Sequence, residues 1–552
     1  MDDNRLTGIS RRGLLGSSLA AAGALALAAC GSSNPSAGSS TTQAAGTTSA
    51  PAGGSGGSTA SGGSSVVASA PAGKRGGTLR FADTDGGAAD VDPHGSTALL
   101  SVVRSMYDGL VEPDRSFKMT NALAEVFEPE NGDPKTWIIK VRDGVKFHNG
   151  KTLGADDVEF TIRRILDPKN PRAAAVLIGD IDLDKIEKVD TRTLRLHLKA
   201  ANSQLREGFA PDYASIVPVG FDPKTPAGTG AFKQVSFTPN QRWTGARFDD
   251  YWRVAGGAYL DQLDIIVFAT TSAALNAILA GQVDVVSKLM PVHLQQIKTR
   301  PQIKTVESET GLIPYVSMNA RKGQQFEDPR VRQAFRLMVD REQLINTVFA
   351  GHGAVGNDVG VFPQWDSAVA PDLPERKRDV EKAKALLKEA GKENMTVKLR
   401  VGPRIPGLVE SAQVLQQQAK DIGVTIELNM VNDTATWWSK DYFDAELQVD
   451  KTTTISMYSG CTYFWLGKAA YNSGGYDNSK VNALFEQAIT KTGDDYDTVM
   501  REMSHLLYDD GPWIVWGRQN LFDAHLDKVQ GIQPDPGGVS ANGNRFWELS
   551  LA

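Results

Sequence analysis

From Lys74 onward two hydrophobic periods take turns along the chain, one of two residues and one of about 3.6, which predicts strands alternating with helices. Gly76-Gly77 reads as a turn ahead of a short strand over Thr78 to Ala82. Thr136 to Val141 and Val145 to Phe147 read as a hairpin about an Asp143-Gly144 turn, and His148-Asn149-Gly150 closes the second strand. Asp156-Asp157 then caps a helix carrying Val158, Ile162, Ile165 and Leu166 on one face. Leu263 to Phe268 is a buried strand, Ala273 to Ala280 a helix stopped by Gly281, and Val283 to Val286 a further strand, which together make a β-α-β unit.

Further on, Asp328-Pro329 opens a helix with Asp as N-cap and Pro at the first helical position, and Val331, Ala334, Phe335 and Met338 share one face. Asp340 caps the next, which bears Leu344, Ile345, Val348 and Phe349 and stops at Gly351, and a stripe of Ala383, Leu386, Leu387 and Ala390 ends at Gly391. Val397, Leu399 and Val401 then alternate, Leu408 to Ile422 is helical, and Val424, Ile426, Leu428 and Met430 alternate again. Strand, crossover helix and strand in that order predict a right-handed parallel pair. No repeat at solenoid periods is present.

The first seventy-odd residues follow neither period. Ser10-Arg11-Arg12-Gly13-Leu14-Leu15, the uncharged run from Gly13 to Ala29, and Leu27-Ala28-Ala29-Cys30 have the order of a positive region, an apolar region and a small-residue cleavage site, so residues 1–29 read as an export signal. The arginine pair resembles a twin-arginine signal, with Leu14 where Phe is usual and Gly16 where Lys is usual, so the general secretory route stays open. Leu-Ala-Ala-Cys resembles the bacterial lipobox, which makes Cys30 the expected lipidation site. A transmembrane helix is the other reading of this run, but it is shorter than the roughly 20 apolar residues of a span and rich in Ala and Gly. Two or more acyl chains hold a protein stably on a membrane. Residues 31–73 hold no charged residue and are nearly all Ser, Gly, Ala and Thr, so 30–74 reads as a flexible tether.

At 552 residues and 41% hydrophobic content the chain can bury a large core in about two to four domains. A net charge of -6 supplies no basic field, which argues against nucleic acid as a partner. With Cys30 acylated, Cys461 is the remaining thiol, and no intramolecular disulfide can form. Catalytic motifs fail on context. Gly53-Gly54-Ser55-Gly56-Gly57 matches a nucleophile elbow but lies in the tether, and Gly150-Lys151-Thr152 ends like a phosphate loop but has Val145 in place of the first Gly. The seven histidines lack ligand spacing, so no metal, cofactor or catalytic residue is expected.

Several stretches, in this order, carry a resemblance: Gly76-Gly77-Thr78-Leu79, Tyr107-Asp108-Gly109-Leu110, Arg142 to Gly150, Gly228-Thr229-Gly230-Ala231-Phe232, Gly281 to Val286, Asp328 to Ala334 with Asp340-Arg341-Glu342, and Asn472 to Tyr476. With them the chain resembles family 5 of the bacterial extracellular solute-binding proteins, which serves peptide, opine and nickel importers, over residues 75 to 552. The resemblance implies an α/β, periplasmic-binding-protein-like (type II) two-lobed clamshell with an additional inserted domain. Domain I is expected at 75–116, 225–320 and 515–552, the inserted domain II at 117–224, and domain III at 321–514. It implies a monomeric, extracytoplasmic, lipid-anchored receptor that captures a small molecule, whether peptide-like, opine, sugar or chelated metal, and hands it to ABC permease subunits. A lipoprotein hydrolase of peptides or sugars and a ligand-presenting sensor are the competing readings.

Candidate ligand contacts follow from loops expected at the lobe junction. Asp83, Thr84 and Asp85 leave the first strand, where a solvated Asx turn is the alternative. Tyr315 and Asn319 are expected to leave a domain I strand at the crossing. Trp437 and Trp438 offer stacking faces, against core packing. Family peptide binders carry a Gly-Trp and an Asp-Pro element in the stretch that here runs Leu447 to Trp465, and both elements are absent. Asp450 is then the one candidate anchor for a ligand ammonium, with Lys451 beside it, and Tyr458, Cys461 and Trp465 complete the candidate set. Cys461 reads as a small buried hydrophobe rather than a reactive thiol.

Overall fold

The computed structural model describes residues 73–84, 90–95, 98–254, 257–403, 406–432, 437 and 440–552. The export signal, Cys30, the tether, Asp85 and Trp438 lie outside the described residues.

Three sheets organise the body. The first has seven strands in the order Ile303–Ser308, Leu521–Leu526, Val285–Leu289, Thr78–Asp83, Gln262–Val267, Arg242–Arg247, Phe232–Thr238. The amino-terminal strand Thr78–Asp83 lies parallel to both Gln262–Val267 and Val285–Leu289, so it is inserted between the two strands of the expected β-α-β unit. Leu79 and Phe81 enter one core with Leu263 and Ile265, while Ala82 enters another beneath the helix Thr271–Leu279. Period-two alternation thus supplies both layers from one strand.

The second sheet runs Thr425–Met430, Thr396–Val401, Leu447–Thr452, Ile313–Met318, Trp513–Val515. Its parallel pair has Val397 opposite Ile426 and Leu399 opposite Leu428, joined by the helix Leu408–Lys420 as the pattern predicts. Strand Ile313–Met318, expected to end the first lobe, instead pairs here with Leu447–Thr452 and Trp513–Val515. Every residue of it is buried, because both sheet faces are covered. Its near-continuous apolar run carried that signal, while the partner strands more than a hundred residues downstream did not show locally.

A third, four-stranded sheet of Ala124–Pro129, Thr136–Val141, Thr193–His197 and Glu187–Lys188 falls between the two runs of the first. It corrects the expected hairpin. Both edges of Thr136–Val141 are taken, by Ala124–Pro129 and Thr193–His197. The Asp143-Gly144 turn therefore leads out of the sheet, and Lys146 bridges Thr152 in a separate loop. The following helix Ala155–Ile165 starts at Gly154, whose N–H donates to the Asp157 carboxylate at 3.0 Å, so the acidic pair caps from inside the first turn.

The loop around His148 fastens this sheet's segment to the first. His148 Nε2 donates to the Gly230 carbonyl at 2.9 Å, and its Nδ1 accepts from the Gly228 N–H at 3.3 Å, which fixes the tautomer. Burial pushes the imidazole down to about 4, so it stays neutral. Among the described residues no helix is long and apolar enough to cross a membrane.

Candidate functional site

A cavity of about 520 Å³ opens between segments that belong to all three sheets' surroundings. Arg104 and Leu100 on the helix Leu100–Met106, followed by Tyr107, Asp108 and Glu112, form one wall with Asp535, Arg545 and Trp547 from the carboxyl end. Glu207 and Tyr213 come from the 3-10 turns Leu205–Phe209 and Asp212–Ala214. Trp365, Asp366, Thr453 to Ser456, Tyr458, Ser459, Tyr463 and Tyr496 close the far side. A volume of this size suits a small solute.

Local packing sets these side chains. Leu205 and Phe209 are buried, and Gly208 lies against Ile178 and Leu177, which turns Glu207 toward the cavity. The helix Met457–Gly460 runs into a π turn over Cys461–Trp465, where the Leu466 N–H donates to the Cys461 carbonyl at 3.2 Å. The wider turn brings Tyr463 beside Tyr458 on the wall, and the Tyr463 and Tyr213 hydroxyls bond to each other across it.

Seven carboxylates but only three cationic side chains line the cavity, so its field is negative. Most of these carboxylates are engaged. Asp108 accepts from Thr229 at 2.8 Å and Trp252 at 3.0 Å, Glu112 holds Arg253 at 2.7 and 2.9 Å, and Asp212 holds Arg104 at 2.8 Å. Asp114 and Asp535 accept from nearby backbone N–H groups. The Arg104 and Arg545 guanidiniums also donate to the carbonyls of Gly543 and Pro113, both at 2.7 Å.

Glu207 and Asp366 differ. Burial pushes the Glu207 carboxyl up to about 7, Asp366 adds to the shift, and the Ser456 hydroxyl and Arg206 oppose it. Burial likewise raises Asp366, against N–H donors from Met457 at 2.6 Å and Ala368 at 2.9 Å.

Of the sequence candidates among the described residues, Tyr458 lines this cavity. Its hydroxyl donates to the Leu177 carbonyl at 3.2 Å and accepts from the Asn202 amide at 3.0 Å, and its ring stacks on Phe485. The others lie off the wall. Asp83 accepts from the Ser101 hydroxyl in the core beneath the first sheet, and Thr84 follows it outside the lining. Tyr315 stacks on Trp513 with ring centroids 3.8 Å apart, and Asn319 accepts from Arg321 at 3.1 Å. Trp437 is buried with the Arg400 guanidinium 4.3 Å from its ring. Asp450 is buried on the strand Leu447–Thr452, opposite Tyr315. Trp465 packs on Trp513, and Cys461 faces Met503 Sδ at 4.0 Å with its thiol raised by burial. Sequence reasoning missed Glu207, Asp366, Asp535 and Arg104, which carry no local signal. It had singled out Tyr107-Asp108 and the Thr453 to Tyr463 stretch for other reasons.

The model of the bacterial extracellular solute-binding proteins, family 5 middle region, matches residues 118–475. A glutathione-binding protein of Pectobacterium atrosepticum is 27% identical over 486 residues, covering 81% of this chain and 90% of that one. Heme-binding protein A of Haemophilus influenzae is 26% identical over 493 residues, covering 81% and 87%. The periplasmic binding protein DppA of Helicobacter pylori, solved with the peptide STSA, superposes with a TM-score of 0.73 at 22% identity, covering 87% of this chain and 98% of that one.

Proposed function

Because the chain belongs to family 5 of the bacterial extracellular solute-binding proteins, we propose that it captures a small solute outside the cytoplasm and delivers it to an ABC importer. The observation that carries this is the cavity, whose walls come from segments around both large sheets. A solute seated there contacts both and favours the closed arrangement, which is the form a permease reads.

The chain crosses between the two large sheets twice, between Ser308 and Ile313 and between Val515 and Leu521. The crossings lie side by side: the Gln519 N–H donates to the Leu312 carbonyl at 2.8 Å and the Thr310 hydroxyl to the Gln519 carbonyl at 2.7 Å. We place the hinge there, with the four-stranded sheet as the inserted domain. Opening then twists two strands and parts the apolar contacts by which Leu177 and Phe209 share a core with Tyr458 and Tyr463.

Relatives bind cargoes as different as glutathione and heme, so the family leaves the solute open and a peptide-like one is its default. A saturating solute should raise stability by RT ln(1 + [L]/Kd), about 2.7 kcal/mol at a hundredfold excess. A thermal-shift screen of peptides, opines, sugars and chelated nickel, alongside mass spectrometry of whatever co-purifies, reads this directly. Chemical turnover of a stabilising solute by the purified chain would favour the hydrolase reading instead.

The same proposal has the chain exported through its Arg11-Arg12 signal and anchored by acyl chains on Cys30. Cys30→Ala is expected to leave the protein unprocessed at that site and without lipid label. Acyl chains still present on the variant would remove the lipobox assignment.

A further inference from the structure

The charge on the cavity wall narrows what can occupy it. Glu207 and Asp366 form no ion pair among the described residues, although both line the cavity. They come from separate parts of the chain, the turn Leu205–Phe209 and the loop after Trp365, and Ser456, Tyr458 and Tyr496 lie near Glu207. Arg206, next to Glu207, turns its guanidinium away to the Asn121 side chain at 2.8 Å. Carboxyls without a cationic partner in a partly dehydrated space are costly to ionise until a cation arrives. Aromatic faces around them add attraction for a cation and none for an anion.

We propose that the cavity takes a solute bearing a cationic nitrogen, an ammonium or guanidinium group, held between the Glu207 and Asp366 carboxylates against the Tyr458 and Tyr496 rings. This deepens the solute-binding reading and rests on it. Arg104 and Arg545 on the opposite wall already engage Asp212 and backbone carbonyls, so they do not make the cavity an anion site. The charged and titratable groups facing Glu207 are Arg206, Asp366, Tyr458 and Tyr496. A bound cation favours ionised Glu207, so below about pH 7 binding releases a proton and affinity climbs with pH.

The test uses the purified full-length chain and charge-matched probes: putrescine, spermidine, arginine and alanyl-lysine, each against its N-acetylated or citrulline counterpart, with glucose, glutamate and citrate alongside. At least one cationic probe is expected to raise the melting temperature while its neutral counterpart does so at least tenfold more weakly in concentration. Glu207→Gln should weaken that probe at least tenfold while the empty variant melts no lower than the parent, which separates lost binding from misfolding. Affinity should rise with pH up to about 7 in the parent and rise less steeply in Glu207→Gln. If neutral or anionic solutes stabilise the chain and cations do not, the cation assignment is wrong and the solute-binding reading stands. A chain that answers no probe of any charge loses the cation assignment, while the family match keeps the solute-binding reading.

Discussion

Replacing Asp358 by Ala is expected to lower the unfolding free energy by about 3–5 kcal/mol, because it strands buried arginines. The Asp358 side chain is fully buried, accepts two bonds from Arg341 at 2.8 Å and one from Arg376 at 2.7 Å, and takes the Val515 N–H at 2.9 Å. Burial alone would raise this carboxyl, but the Arg341, Arg376 and Arg336 charges override it and hold it below its usual range. A depressed carboxylate contributes stability above its unfolded pKa and loses it as pH falls through the folded value. The network therefore persists through mildly acidic conditions. Asp358 also sits at φ 60, which Asn tolerates, so Asp358→Asn isolates the charge from the backbone. Urea midpoints followed by circular dichroism check both variants. If Asp358→Ala melts with the parent, water must reach the guanidiniums and the hub does not hold the second sheet.

Gly228→Ala is expected to cost about 3 kcal/mol by overpacking. A Cβ there would stand 1.9 Å from the Met106 carbonyl oxygen and 2.6 Å from the Tyr107 ring, so backbone must move. The shift would reach the cavity, since Tyr107 and Asp108 line it and Thr229 holds Asp108. It would also pull on the bonds to His148. Gly150→Ala is the matched control. Its site has φ +85 and open space around the Cβ, so only the left-handed backbone is strained, at about 1–2 kcal/mol. Equal losses in the two variants would show that crowding at Gly228 is relieved without consequence.

Local signals were legible and distant ones were not. The caps at Asp328 and Asp340, the stops at Gly351 and Gly391 and the parallel pair around Leu408–Lys420 follow from neighbours within a few residues, and they stand where the pattern puts them. The Asp143-Gly144 turn reports that the chain reverses, not which strand it will pair with, hence the misplaced hairpin. Arg332, Arg336 and Arg341 are charged helical residues, yet all three are buried, their donors spent on carbonyls and on Asp510 and Asp358. Hydrophobic periodicity has no means of showing a buried cation whose partners lie elsewhere in sequence. The same limit hides Glu207 and Asp366, 159 residues apart and set side by side by tertiary packing alone. Tyr458 is singled out as part of the Leu447 to Trp465 stretch that the family resemblance marks, and it lines the cavity.

The placement of the first strand has a mechanical side. Thr78–Asp83 runs between two parallel neighbours, six residues in register with one and two with the other, while Gly73 abuts Ser550 and Gly77 abuts Leu551 at the far end of the chain. A load arriving from the amino-terminal side acts along the strand, in the plane of the sheet. It must shear both ladders at once, where a strand at the sheet's edge pulled sideways would unzip one bond after another. A pull applied ahead of Gly73 is thereby resisted by both ladders together.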